Sequence, residues 1–266
     1  MEACDFVDCA GVSLLVRRVG TGRAIVFVPG LGSGHGMFAP QVDAFGSTHH
    51  LILPDLRGNG GSARLTGPVS TILDRQADDL AALLDRLAID RAVIVGVSYG
   101  GVVAIHFALR HTDRAAGLVV VDSFGSIDKR RPIELLFWVG SYLGLPICYL
   151  PKPWMRTLLG IFYRRWPVAR GAITGLVAEF RSTEAVLQSL AMNAVDYRAR
   201  LGSIACPALG VVGDYARTGV ELMRRVVEPI AGARLEVIAD SFDPSNLCRP
   251  DEFNRVLAAF LAEIGW

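Results

Sequence analysis

The passage from residue 91 to residue 101 constrains this chain most tightly. Residues 91 to 97 form a short, mostly β-branched apolar run, Ser98 follows, and a helical pattern begins at Tyr99. The serine sits within Gly96-Val97-Ser98-Tyr99-Gly100, and Gly101 comes next. Small residues two places on either side of a serine permit a turn so tight that a larger side chain would strike the neighbouring strand or helix. Five residues of this kind arise by chance in a glycine-rich chain; the strand before them and the helix after them make the pattern specific.

Other apolar runs repeat the theme. Residues 24 to 29, 51 to 54, 117 to 121 and 207 to 212 have the length and composition of strands buried on both faces. Between them lie helical patterns. Ile72, Leu80, Leu83, Leu84 and Leu87 share one face of a segment that Ser70 or Thr71 would cap. A final helix opens at Pro250, with Phe253, Val256, Leu257, Phe260, Leu261 and Ile264 at steps of three and four. Such alternation predicts an α/β chain with a mainly parallel sheet covered by helices on both faces, and segments 6 to 10 and 12 to 18 add an antiparallel edge. At 266 residues and 52% hydrophobic, the chain suffices for one large core.

The alternation stops between residues 121 and 207, too far for a simple crossover. An inserted helical cap over 126 to 202 is expected, leaving 1 to 125 and 203 to 266 as the core. From Asp128 to Arg170 the insert holds eight lysines and arginines against two acids, together with three of the four tryptophans. Residues 135 to 151 are nearly all apolar but interrupted by Gly140, Gly144 and Pro146, which is marginal for a membrane span. An amphipathic cap closing over an apolar pocket is the plainer expectation. Basic residues among aromatics keep open peripheral contact with anionic lipid or with an acidic carrier of a hydrophobic substrate.

Two further segments bring a family resemblance into view. Pro29-Gly30-Leu31-Gly32-Ser33-Gly34 follows a buried strand, and Asp55-Leu56-Arg57-Gly58-Asn59-Gly60-Gly61-Ser62 follows the next. Together with the serine turn they resemble the α/β-hydrolase fold family across nearly the whole chain except the cap. The resemblance implies Ser98 as nucleophile at the elbow, with the backbone amides of Leu31 and Tyr99 as oxyanion hole. Pro29 stands where that family usually has a histidine before the first glycine.

The resemblance breaks at the catalytic base. Family members place a histidine in the loop before the final helix. Aligning that helix start puts Asp243 at its position, and all five histidines of this chain precede residue 112. The family's acid is irregular too: Ala216 occupies one usual position, near Asp214, and Asp122 occupies the other. His35, in the oxyanion loop, is the one histidine with a route to Ser98; His106 reads as a helix-packing residue and His111 as a helix end. Asp243 either replaces the imidazole as general base, with a carboxyl raised by burial, or simply forms an Asx-type turn into the last helix.

Three functions follow. The first is an enzyme acting on a hydrophobic ester, acyl or carbonyl compound through Ser98, with Asp243 in place of histidine. The second is cofactor-free, non-hydrolytic chemistry in the same pocket: a lyase, cyclisation or proton transfer. The third is a ligand-binding protein without catalysis. With 27 basic and 26 acidic residues, nothing in the overall charge calls for nucleic acid. No metal cluster, dinucleotide fingerprint or phosphate loop is legible, so no cofactor is expected. Five cysteines at unpaired spacings and no leader-like amino terminus suit a cytoplasmic protein.

Overall fold

The computed structural model describes residues 2–266. Eight strands form one sheet: β1 (Glu2–Cys9), β2 (Val12–Val19), β3 (Ala24–Val28), β4 (His50–Pro54), β5 (Ala92–Val97), β6 (Ala115–Val121), β7 (Ala208–Gly213) and β8 (Arg234–Ile238). Their spatial order is β1-β2-β4-β3-β5-β6-β7-β8. The first two pairings, β1 with β2 and β2 with β4, are antiparallel, and every other pairing is parallel.

The expected core strands all form, within two residues of their expected ends. β3, β5, β6 and β7 are buried at every position, which is why they read as unbroken apolar runs rather than alternating ones. The β1–β2 hairpin turns at Ala10 and Gly11, both at positive φ, and the Gly11 amide bonds the Asp8 carboxylate at 2.8 Å. β8 was not expected. It lies at the sheet edge, and its alternating Arg-Leu-Glu-Val-Ile carries too little apolar character to announce itself.

Helices cover both faces. They are α1 (Ala39–Phe45), α2 (Ile72–Arg86), α3 (Tyr99–Arg110), α4 (Pro132–Leu143), α5 (Lys152–Phe162), α6 (Pro167–Leu176), α7 (Ser182–Asn193), α8 (Arg217–Val227), α9 (Ser245–Cys248) and α10 (Pro250–Glu263). Successive residues of each strand feed opposite layers. Val26 and Val28 pack with Leu80 of α2, Val103 of α3 and Met223 of α8, whereas Ile25 and Phe27 pack with Val42 of α1 and Phe253 of α10. At the start of α2 the expected cap is replaced. A short 3-10 turn, Val69–Thr71, leads in, and the Thr71 hydroxyl donates to the Pro68 carbonyl at 3.0 Å instead of capping the helix.

Helices α4 to α7 all fall between β6 and its parallel neighbour β7. A backbone bridge between Ser126 and Asp196 closes the base of this excursion, and the Tyr197 amide reaches the Gly125 carbonyl at 2.9 Å. The apolar stretch Pro132–Tyr149 has mean hydropathy 1.2, enough by composition to cross a membrane. It is divided: α4 ends at Leu143, and Leu145–Tyr149 form a separate 3-10 turn. Twelve helical residues reach about 18 Å, short of the ~30 Å of a bilayer core.

Candidate active site

Ser98 lies at the abrupt junction of β5 and α3. Its φ is 54° and its ψ −117°, a conformation that L residues adopt only when their surroundings impose it. The glycines around it show why. A Cβ on Gly96 would lie 2.1 Å from the Gly100 carbonyl oxygen, and one on Gly100 would lie 2.2 Å from that of Val28. The Ser98 amide donates to Val121 of β6 at 2.8 Å, and the Ser98 carbonyl accepts the Ser123 hydroxyl at 2.7 Å. The backbone of the elbow is thus fixed from both sides.

The hydroxyl has a carboxylate for a partner. Ser98 Oγ donates to Oδ2 of Asp243 at 2.8 Å, across 145 residues of chain. The side chain of Asp243 therefore points at the serine rather than closing an Asx turn into the last helix. Its backbone is held as well, since the Tyr163 hydroxyl donates to the Asp243 carbonyl at 2.7 Å. A few residues before it, the Trp166 indole donates to the Asp240 carbonyl at 2.9 Å, and the Trp166 ring stacks on Phe242.

Asp122 supports the same loop from beneath. It follows β6 at positive φ and accepts from the Gly213 amide at 2.9 Å, the Ser245 amide at 2.5 Å and the Ser245 hydroxyl at 2.9 Å. Asp122 and Asp243 line one cavity with Ser98, and both carboxyls are pushed up from the ordinary range. Burial is the main cause for each. For Asp243 the neighbouring charge of Asp122 adds to it, and the Ser98 hydrogen bond opposes it only in part. Asp122 carries three donors that stabilise its charge, so the negative charge settles there and Asp243 retains a proton to higher pH.

Two cavities meet at Ser98 and Asp243. The larger, about 530 Å³, is lined by Phe124, Ile133, Leu136, Phe137 and Phe242 as well as Asp122. The smaller, about 280 Å³, lies against Gly30, Leu31, Met155, Leu159 and Tyr163. The loop of Gly30 and Leu31 is close: a Cβ on Gly30 would stand 3.6 Å from the Ser98 Cβ. Leu31 lines the smaller cavity, and Tyr99 opens α3 directly after the serine, its buried ring anchored by a 2.6 Å hydrogen bond from its hydroxyl to Gln76.

His35 takes a different place from the expected one. Its amide and its ring Nδ1 both engage Asp55 Oδ1, at 2.8 and 2.9 Å, and it lines neither cavity. Asp55 is fully buried, so it draws the nearest imidazole to itself, and the hydrogen bond raises the His35 pKa. His106 packs between Asp74 and Tyr197, as a helix-packing residue would. None of the five histidines lines either cavity at Ser98. Asp214 is also apart from the serine, accepting from the Ser241 amide on the surface. Sequence reasoning missed Ser245, Tyr163, Trp166 and Ser123. The signal for Ser245 was its position, two residues past Asp243 and at a helix start; Tyr163 and Trp166 meet the loop, and Ser123 meets the Ser98 carbonyl, only through folding.

Similarity to known proteins agrees with the architecture. The sequence profile of the alpha/beta hydrolase fold matches residues 23–143. A putative carbamate hydrolase RutD of Azorhizobium caulinodans is 28% identical over 92% of this chain and 93% of its own. A 3-oxoadipate enol-lactonase 1 of Acinetobacter baylyi is 26% identical over 91% and 89%. Among solved structures, the enol-lactonase from Burkholderia xenovorans LB400 superposes with a TM-score of 0.80 at 26% identity, over 97% of this chain and 100% of its own. The sheet, the matched segment and these relatives together show an α/β-hydrolase fold, and the relatives named as hydrolases support a hydrolase-like enzyme.

Proposed function

We propose that this enzyme hydrolyses a hydrophobic carboxylic ester or lactone, with Ser98 as nucleophile and Asp243 as its general base. The observation that carries the reading is the 2.8 Å hydrogen bond from Ser98 Oγ to Asp243 within an apolar cavity. The relatives named as enol-lactonases act on cyclic esters by name, which supports the bond class. The two cavities meeting at the serine suit a substrate with an apolar group on each side of the carbonyl. The helices over residues 126 to 202 serve as the cap.

The ionised Asp243 takes the Ser98 proton as Oγ bonds to the carbonyl carbon, and the carbonyl π electrons move to oxygen. The amides of Leu31 and Tyr99 stabilise that oxyanion. Its collapse breaks the bond to the alkoxide, which leaves with the proton from Asp243. Water then repeats the sequence on the acyl-enzyme, giving its proton to Asp243, and Ser98 is regenerated as the acid departs. A carboxylate of ordinary pKa is a feeble base for this work. Burial and the Asp122 charge raise Asp243 towards the operating pH, where a general base is most effective. Asp122 acts through the loop, as a positioning residue.

A second reading rests on the proton Asp243 retains. An uncharged carboxyl beside Ser98 in a largely apolar cavity is a proton donor, and it suits a lyase, cyclisation or proton transfer in which water takes no part. Turnover of apolar esters and lactones in ¹⁸O-labelled water separates the two. The hydrolytic reading predicts one solvent oxygen in the acid product and none of this activity in Ser98→Ala. Product without solvent oxygen establishes the second reading, and ester turnover that survives Ser98→Ala refutes the first.

A further inference from the structure

Two of the inserted helices, α4 and α5, expose several large apolar side chains. α4 buries one side chain, and it is a carboxylate: Glu134 pairs with Arg225 of α8 at 2.8 Å and accepts the Asp128 amide at 2.7 Å. With Glu134 anchored inward, Leu136 and Leu143 stand 67% and 75% exposed. In α5, Trp154, Leu158, Ile161 and Phe162 follow at helical spacing along one side, and all four are exposed. Beside this row α5 carries Met155, which is buried and lines the smaller cavity. Large apolar side chains exposed in this number on neighbouring stretches of chain point to an interaction site.

Its surroundings are cationic. Arg156, Arg164 and Arg170 line one shallow concavity together with Ile161, at the junction of α5 and α6. Arg164 and Arg170 have no ion-pair partner among the described residues. The only acids between residues 128 and 170 are Asp128 and Glu134, and each already faces a cation. A helix with an apolar side and flanking arginines lies in the plane of a lipid–water interface, with its cations at the phosphates. α4 is too short to span, so the geometry is that of a surface contact.

We propose that the outward face of α4 and α5 docks this enzyme on an anionic lipid surface. Residues of the same helices also line the two cavities at Ser98: Leu136 and Phe137, both exposed at the mouth of the larger one, and Met155 and Leu159 at the smaller. A lipid-phase substrate would then enter the site past these apolar side chains. The docking surface stands independently of the reaction assigned to Ser98.

The test is flotation of the full-length protein with vesicles of phosphatidylcholine, alone or mixed with phosphatidylglycerol, using wild type and Ser98→Ala in parallel. Both proteins are expected to float with the mixed vesicles, to be released by high salt, and to show a blue shift of tryptophan emission on binding. Trp154→Glu is expected to abolish flotation and the blue shift. The triple variant Arg156→Gln, Arg164→Gln, Arg170→Gln is expected to weaken binding roughly a hundredfold, about fivefold per arginine. Unchanged melting temperatures of these variants exclude misfolding. Wild type that fails to float with mixed vesicles overturns the proposal. So does binding that ignores the arginines, or a solution dimer that shields Trp154 from quenching. Selective capture by an acidic carrier protein without vesicle binding would assign the face to that carrier instead.

Discussion

Asp122 and Ser245 are joined twice: Oδ2 of the carboxylate accepts the Ser245 amide at 2.5 Å, and Oδ1 accepts its hydroxyl at 2.9 Å. These bonds place the Asp243 loop over Ser98, and they also decide where the charge of the two carboxyls resides. Donors to Asp122 favour its ionised form, and the resulting charge pushes Asp243 up.

Ser245→Ala removes the hydroxyl donor from a fully buried position. The variant is expected to lose about 1–3 kcal/mol of stability, read from denaturant midpoints. Asp122 then holds its proton more readily, its charge bears less on Asp243, and the ionisation controlling Ser98 reactivity moves to lower pH. An unmoved pH profile would show that Asp122 does not set the state of Asp243.

Reactivity of Ser98 should increase with pH. Asp243 serves as a base only when ionised, and burial with the Asp122 charge pushes it up to about 8. Below that point the ionised fraction falls about tenfold per pH unit, and so should the rate of Ser98 acylation. Asp243→His is expected to shift this limb down towards the imidazole range, and at pH 6 to react roughly tenfold or more faster than wild type.

Stability carries the opposite slope. Asp243 binds its proton in the folded state up to a pKa raised well above its unfolded value, so between those two values folding takes up a proton. Wild-type stability is therefore lost as pH rises through this window. Asp243→Asn removes the ionisation, and its stability relative to wild type is expected to grow from pH 5 to pH 9 in matched denaturation series. A constant difference would indicate an ordinary carboxyl at this position.

The elbow glycines tolerate no side chain. Gly100→Ala places a Cβ 2.2 Å from the Val28 carbonyl oxygen, with backbone on both sides, and is expected to destabilise by about 3 kcal/mol or more. Ser98→Gly relieves a positive φ of 54° and is expected to stabilise by roughly 1 kcal/mol while abolishing activity. Thermal melts check both.

What the sequence made legible follows from locality. The core strands are buried on both faces, so composition alone marks them, and the Ser98 turn carries its steric demand in adjacent residues. Asp243 could be placed because Pro250 and the apolar steps of α10 fix the helix that follows it. β8 escaped because an edge strand half in water needs no apolar run. His35 departs from its expected place for a different reason: in sequence it belongs to the loop expected to supply the oxyanion hole, but its partner is Asp55, twenty residues away and fully buried. The Asp122–Ser245 pair and the hydroxyl of Tyr163 on the Asp243 carbonyl join segments more than seventy residues apart, and no local pattern announces them.

The most direct test of the Ser98–Asp243 pair is mass spectrometry after treatment with a fluorophosphonate probe, across pH, on wild type, Ser98→Ala, Asp243→Asn and Asp243→His. The geometry predicts stoichiometric labelling of Ser98 that quickens as pH rises towards 8, disappears in Ser98→Ala, drops at least a hundredfold in Asp243→Asn, roughly the value of one general base, and returns with an imidazole-like pH profile in Asp243→His. Labelling of folded Asp243→Asn at the wild-type rate and pH dependence would contradict it, and the base for Ser98 would have to be sought elsewhere.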